Sequence, residues 1–282
     1  MNSLKKNFKT NRPLIGMIHF PPLIGYLGYP GFNYIAGKML KEATILEKSG
    51  FDAIIIENNY DVPHTEKIPS VSAAMFGALA KLLEQNTKLP FGLDVLWNDY
   101  ETSLSICAST RAAFFRVPAF VDTVKTSYGV MPARAREIIA LRKKLKLNHV
   151  CIFADIQVKH SVMVDKNKTL TQSAKEAVKA GADAIIITGK WTGNAPKTSD
   201  LKETRKAVGR FPILIGSGVS IDNLPILTKY ADGIIVGTTL KEGGIVNKDK
   251  EVNLKPFKAH ISKLKSKKFA KAFRRLTIYR QS

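Results

Sequence analysis

The sequence predicts an α/β fold, a (β/α)8 TIM barrel of the phosphate-binding type with a basic C-terminal helical extension. Three observations predict it. Eight short, almost continuously apolar runs alternate with amphipathic stretches, as strands buried on both faces of a parallel sheet require. The same helix-to-strand joint recurs in KSGFDAIIIEN (48–58), KAGADAIIITG (179–189) and, in related form, KYADGIIVGTT (229–239), as repeated use of one βα unit would produce. Every apolar run ends in polar residues, on the rim where a barrel carries its chemistry.

Strands are expected at 14–20, 53–57, 91–96, 113–117, 150–156, 184–188, 213–216 and 233–236. Helices are expected at 38–48, 70–85, 101–108, 132–145, 171–180, 201–208, 223–229 and about 255–264. An open doubly wound sheet would need a break in this alternation, and none is seen. No Gly/Ser/Pro linker divides the chain. Residues 14–264 are therefore read as one barrel, preceded by a disordered basic leader (1–13) and followed by a basic tail (265–282). A length of 282 residues suits a barrel of about 250 with extensions.

Composition narrows the setting. The 45% hydrophobic content supports a sizeable core. Cys107 and Cys151 read as two buried thiols, which fits a reducing compartment: cytoplasm or an organellar matrix such as the mitochondrial one. No apolar run reaches the roughly 18 residues of a membrane span. The basic start has no following apolar region, so no secretory signal is read; a short organellar presequence is the alternative to a leader.

Lysine and arginine outnumber aspartate and glutamate by 44 to 23, and no acidic residue follows Glu251. Such a tail is attracted to phosphates. With Phe257, Ile261, Leu264, Ala272 and Leu276 at near-helical spacing, it suggests a closing helix and a basic amphipathic extension, first a solvated helical cap and second a surface able to lie on an anionic membrane. Nucleic-acid binding rests on charge alone, without a motif, and is disfavoured.

The strand ends supply the candidate site. Phosphate binding is expected from IGSGVS (215–220) and VGTTL (236–240), after the seventh and eighth strands: Gly216, Ser217, Gly218, Gly237 and Thr238. Glycine lets backbone N–H groups approach an anion, and the helices opening after these loops would favour it. Gly189 and Thr192, after the sixth strand, are expected to join them. Acid/base and charge roles fall to Glu57, Asp155, Lys159 and His19. Lys159 reads first as a fixed cation and second as a Schiff-base nucleophile. Asn58, Asp94, Asn98, Asp99, Arg116 and His160 complete the rim. Glu57, Asp94 and Asp155 could together hold one Mg²⁺. His64, His149 and His260 are assigned no role.

The motifs IGMIHFPPLIG (15–25), IIIENNYDVP (54–63), VLWND (95–99), ADIQVKH (154–160), ITGKWTG (187–193), IGSGVS (215–220) and IVGTTLKEGG (235–244) resemble the BtpA/SgcQ family from about residue 14 to 257. The resemblance implies a phosphate-binding barrel. Cyanobacterial BtpA members are peripheral thylakoid proteins tied to photosystem I accumulation, and SgcQ-type members sit among sugar-phosphate genes. Residues 117–129, Trp97 and 246–253 depart from the family pattern. The expected function is that of an enzyme (lyase, isomerase, transferase or hydrolase) on a small phosphorylated metabolite, a sugar phosphate or nucleotide, working as a homo-oligomer. The alternative is a non-catalytic assembly or stability factor at a membrane surface.

Overall fold

A computed structural model describes residues 3–242 and 259–278. The elements run α1 (Ser3–Phe8), β1 (Leu14–His19), α2 (Phe32–Ser49), β2 (Ala53–Glu57), α3 (Ser70–Asn86), β3 (Phe91–Asp94), α4 (Tyr100–Ser109), β4 (Phe114–Val117), β5 (Val124–Thr126), β6 (Gly129–Met131), α5 (Ala135–Lys144), β7 (Cys151–Asp155), β8 (Val162–Met163), α6 (Leu170–Ala180), β9 (Ala184–Ile187), α7 (Thr198–Val208), β10 (Ile213–Ile215), α8 (Leu224–Leu227), β11 (Gly233–Val236), a 3-10 turn (Thr238–Leu240), β12 (Lys241–Glu242), β13 (His260–Ile261) and α9 (Lys263–Ile278). Strands β1, β2, β3, β4, β7, β9, β10 and β11 pair in parallel, and β11 returns to β1, closing the predicted eight-stranded barrel.

The strands are apolar on both faces because each face meets a different core. Ile15, Met17, Ile55, Phe114, Phe153, Ile186, Leu214 and Ile235 form the barrel interior. The residues between them, such as Ile18, Ile54, Ile56, Phe115, Ile152, Ile185 and Ile187, pack outward against the helices. The period of two then decides the mouth. One step beyond the interior set, it turns His19, Glu57, Asp94, Arg116 and Asp155 inward, and the register pairs His19 with Glu57 and Glu57 with Asp94. Gly92 faces the Phe114 ring so closely that an added Cβ would lie 2.3 Å from it.

Two expectations need correction. The leader is not disordered: α1 buries Leu4 and Phe8 completely or nearly so within the barrel-interior cluster, where the Phe8 ring meets Phe114 edge-on at 5.4 Å. The closing helix is not at 255–264. Residues 255–258 lie outside the described residues, 260–261 form a strand, and the helix is α9. Phe269 and Phe273, four residues apart, give α9 its buried face, and Arg274 ties it to Asp52 at 2.7 Å. Much of the expected tail is thus a barrel helix packed on α2. Outside the barrel, β5, β6 and β8 form a small antiparallel sheet beside the barrel mouth. The 246–253 stretch lies outside the described residues.

Because Phe8 closes the base of the barrel with aromatic contacts, Phe8→Ala should destabilise the protein by about 3–5 kcal/mol. Urea unfolding monitored by circular dichroism checks this; a loss below about 1 kcal/mol would mean that the barrel base is sealed without it.

Candidate functional site

A cavity of about 380 Å³ opens at the C-terminal ends of the strands. Its floor is charged and its far wall is made of loops.

The floor begins with Arg116, 4% exposed. Its Nε and Nη2 donate to the two oxygens of Asp155, both at 2.8 Å, and its Nη1 donates to Asp94 Oδ2 at 3.1 Å. Burial raises the Asp94 carboxyl well above the usual carboxylate range; Arg116 opposes the shift and the neighbouring Glu57 and Asp155 add to it. Glu57 differs. Burial works against its charge as well, but the His19 contact and the cations Lys159 and Arg116 outweigh burial and hold it below the ordinary range. Burial, with Arg116 nearby, lowers the Lys159 ammonium below the usual amine range, against the pull of Glu57, Asp155 and Asp94. Lys159 Nζ also donates to Thr192 Oγ1 at 3.3 Å.

His19 bridges two charged groups. Its Nε2 lies 2.9 Å from Glu57 Oε2, and its Nδ1 lies 2.7 Å from Lys241 Nζ. Burial, then Lys241, drives the ring down to about 4, so it is neutral at pH 7. A protonated Lys241 donates to Nδ1, which leaves the ring proton on Nε2 to be donated to Glu57. Lys241 is itself brought down to about 8, by burial first and then by Lys38. It was missed in the sequence because it lies beyond the eighth strand in a lysine-rich chain, and only barrel closure brings it to strand one.

The loop wall gathers 193–195, 216–220 and 237–239. Ser217 Oγ accepts from Gly189 N at 2.8 Å and donates to Asn194 O at 2.9 Å, fastening the loop after β9 to the loop after β10. Gly218 has φ +65°, and a Cβ there would fall 2.0 Å from Asn194 C, so only glycine fits. Among the described residues the N–H groups of Gly193, Gly218 and Val219 meet no acceptor. Asn223, whose Oδ1 accepts from Ser220 N, braces the same loop. The helices expected to open here are short: α8 has four residues and the 3-10 turn three. The amides themselves, more than any helix dipole, face the anion question.

Most expected residues converge. His19, Glu57, Lys159, Arg116, Thr192, Gly216, Ser217, Gly218, Gly237 and Thr238 line this one cavity, with Asn59 as an addition. Others do not. Gly189 lies behind the wall, its N–H taken by Ser217. Asn58 holds Asp61 and the Leu96 backbone, Asn98 clasps the Ala119 backbone, and Asp99 caps α4 through Thr102 N. These three are framework residues. His160 Nε2 contacts Thr192 Oγ1 at 2.8 Å. The Mg²⁺ expectation does not fit the geometry: the Arg116 guanidinium already stands where a cation would meet Asp94 and Asp155, and no trio of His, Cys, Asp or Glu among the described residues could hold a metal ion.

The family pattern of BtpA matches residues 10–265. An uncharacterised protein of Thermococcus kodakarensis is 38% identical over 245 residues, covering 86% of this chain and 91% of the relative. The photosystem I biogenesis protein BtpA of Synechocystis is 32% identical, over 86% and 85%. A mitochondrial uncharacterised protein of Caenorhabditis elegans is 31% identical, over 93% and 98%. In fold the chain is similar to tryptophan synthase subunit alpha of Legionella pneumophila (TM-score 0.60, 14% identity, 98% and 99% covered). It is also similar to the geranylgeranylglyceryl phosphate synthase of Thermoplasma acidophilum (0.59, 12%, 97% and 97%), solved with sn-glycerol-1-phosphate.

The buried imidazoles set a pH dependence. Burial drives His19, His64 and His160 to about 4 from 6.5. Between those values the unfolded chain binds protons that the native state refuses, so stability rises with pH, by about 1.4 kcal/mol per unit for each net proton. Asp61, raised by burial to about 6 from 3.8, and Asp94, raised by burial well above 3.8, work in the opposite sense and offset two of the three. Urea unfolding at pH 7, 6 and 5 should therefore show declining stability, with a shallower decline in His64→Phe. Equal stability at all three would mean that the rings charge freely in the native state.

Proposed function

The chain belongs to the BtpA family, and we propose that it is an enzyme acting on a small phosphorylated metabolite, a sugar phosphate or a nucleotide. The observation that carries this reading is one cavity with two unlike ends: loops with unengaged amides at Gly218 and Val219, and a floor bearing Glu57, Lys159 and Arg116. The loops of Gly216–Val219 and Gly237–Thr239 receive the phosphate, as glycine-rich loops after the last strands do in this fold. Lys159 steadies negative charge that develops on the substrate. Glu57 moves a proton, and His19, held neutral between Lys241 and Glu57, orients that carboxylate. The same group of roles serves a lyase, isomerase, transferase or hydrolase. No step in it calls for a metal at Asp94 and Asp155, which are held by Arg116.

Thermal unfolding with inorganic phosphate and ribose 5-phosphate tests the loop site. A ligand at a hundred times its dissociation constant adds about 2.7 kcal/mol, a rise of several degrees. Gly218→Ala, which drives a methyl into Asn194, should abolish the rise, and Glu57→Gln should leave it in place. Absence of stabilisation by any phosphate compound would overturn the reading.

A second reading, a membrane-surface assembly factor, is favoured by α9. Lys263, Lys267, Lys268, Lys271 and Arg275 are exposed on a helix without an acidic residue, and no helix among the described residues is long and apolar enough to cross a membrane. The name of the Synechocystis relative refers to photosystem I biogenesis. Because α9 carries barrel core residues, charge reversal is the clean test. Flotation with phosphatidylserine vesicles should recover the protein and lose it when Lys267, Lys268 and Lys271 are changed together to Glu. Equal recovery would exclude the helix as the contact.

A further inference from the structure

Of the lysines and arginines among the described residues, two line the cavity, and they are held very differently. Arg116 binds Asp155 at both oxygens and Asp94 at one. Lys159 forms no ion pair among the described residues, although Glu57 lines the same cavity. Its Nζ donates to the Thr192 hydroxyl over a long 3.3 Å. An ammonium group carries three donors, and taken out of water it is stable only when they are paired. Lys159 has one weak contact and a guanidinium for a neighbour. That is a poor place for a fixed positive charge and a good one for an amine that gives up its proton.

The loop after β7 is shaped to hold that amine in place. On either side of Lys159, Gln157 (φ +45°) and His160 (φ +60°) take backbone conformations that L side chains rarely adopt. Three amides fix the turn: Gln157 N donates to Asp122 Oδ2 at 2.8 Å, Lys159 N to Thr188 Oγ1 at 3.0 Å and His160 N to Lys190 O at 3.2 Å. Thr192 is oriented as well. His160 Nε2 accepts from Thr192 N at 3.3 Å, so it also takes the hydroxyl proton at 2.8 Å, and the hydroxyl oxygen is left to accept from Lys159. An amine in this contact uses one N–H and keeps its lone pair. Burial and the nearby Arg116 lower the ammonium below the usual amine range, which enlarges the share of free amine.

We propose that Lys159 is a covalent nucleophile that forms a Schiff base with a carbonyl carbon of the substrate. This rests on the phosphate reading above and narrows it: the substrate is a phosphorylated aldehyde or ketone, as open-chain sugar phosphates are and nucleotides are not. The step balances within the cavity. Glu57 takes a proton from the Lys159 ammonium, the freed lone pair attacks the carbonyl carbon, and the C=O π pair moves to oxygen. Glu57 returns that proton to the oxygen, then carries a second from nitrogen to oxygen in the same way. The C–O bond breaks, water leaves, and the nitrogen pair completes the C=N bond of a protonated imine. The imine charge then draws electrons from a C–H or C–C bond beside that carbon, and this is how Lys159 steadies developing negative charge. Such a sink serves an isomerase, a lyase or a transferase of the aldol kind.

Reductive trapping on the full chain tests this. Dihydroxyacetone phosphate, erythrose 4-phosphate, ribulose 5-phosphate and fructose 6-phosphate are each incubated with the protein and sodium cyanoborohydride, and adducts are located by peptide mass spectrometry. Thermal unfolding with the same compounds and with inorganic phosphate runs alongside. At least one sugar phosphate should label Lys159 about tenfold or more above any other lysine. Inorganic phosphate should suppress that label, and dihydroxyacetone, which lacks the phosphate, should give little of it. Lys159→Arg should lose the label and keep the stabilisation by inorganic phosphate. Should Lys159→Arg fail to fold, the position of the label in the unaltered protein and its suppression by phosphate decide the matter. Label spread evenly over the lysines, label at Lys159 that phosphate does not suppress, or no label although a phosphate compound stabilises the protein would each overturn the Schiff base and leave the phosphate site standing. Failure of every phosphate compound to stabilise the protein would remove the phosphate reading and this proposal with it.

Discussion

The mouth of this barrel depends on one buried guanidinium. Arg116 rises from β4 with almost no exposure and binds Asp155 in a two-pronged contact while touching Asp94 on the other side. A buried cation is tolerated only with such partners, and removing one member of a buried set costs about 3–5 kcal/mol because the others are left unpaired. The planar fork of arginine suits the geometry in a way that lysine would not. With Arg116 in place, Asp155 is held at both oxygens and Asp94 at one. Glu57, on β2 beside the strand of Asp94, is left as the acid that faces the cavity.

From that centre the charges spread in a defined order. Glu57 contacts His19, His19 contacts Lys241, and Lys241 lies near Tyr60 with its ammonium 5.9 Å from the ring centre. The line crosses the seam where strand β11 meets strand β1, so residues at opposite ends of the chain share one proton-bearing network. On the other side Lys159 and Thr192 carry the floor into the loops after β7 and β9. Ser217 then joins those loops to the one after β10. The loop wall is therefore cross-braced by side-chain hydrogen bonds.

Much of this was legible in the residues. Runs such as AIII and GIIV announce strands buried on both faces, and the eight of them count out a barrel. The IGSGVS and VGTTL turns pointed to the loops that line the cavity, because glycine and small hydroxyl residues gather there. The errors have local causes. The closing helix was placed on Phe257 and Ile261, because apolar spacing alone does not say which turn meets a neighbour; the pair Phe269 and Phe273 packs on α2 instead. The leader reads as disordered because it is basic and acid-free with no apolar run behind it, and six residues form too short a helix to be stable alone. It is ordered by Phe8 entering the barrel base. Asn58, Asn98 and Asp99 looked like rim groups because a strand end does not reveal which polar side chains bond back to backbone.

By itself, then, the sequence determined the fold class, the rim that carries the polar residues, and the residue types available there, since hydrophobic period and turn chemistry are local properties. Tertiary structure alone decided which of those residues meet. Alternation by two turns His19, Glu57, Arg116 and Asp155 to one side only relative to a closed barrel. Asp94 becomes a partner of Arg116, not a metal ligand, only when β3 and β4 are adjacent. Lys241 reaches His19 only because the last strand closes on the first. Contacts between residues some 220 positions apart arise from closure of the sheet, and no local pattern encodes them.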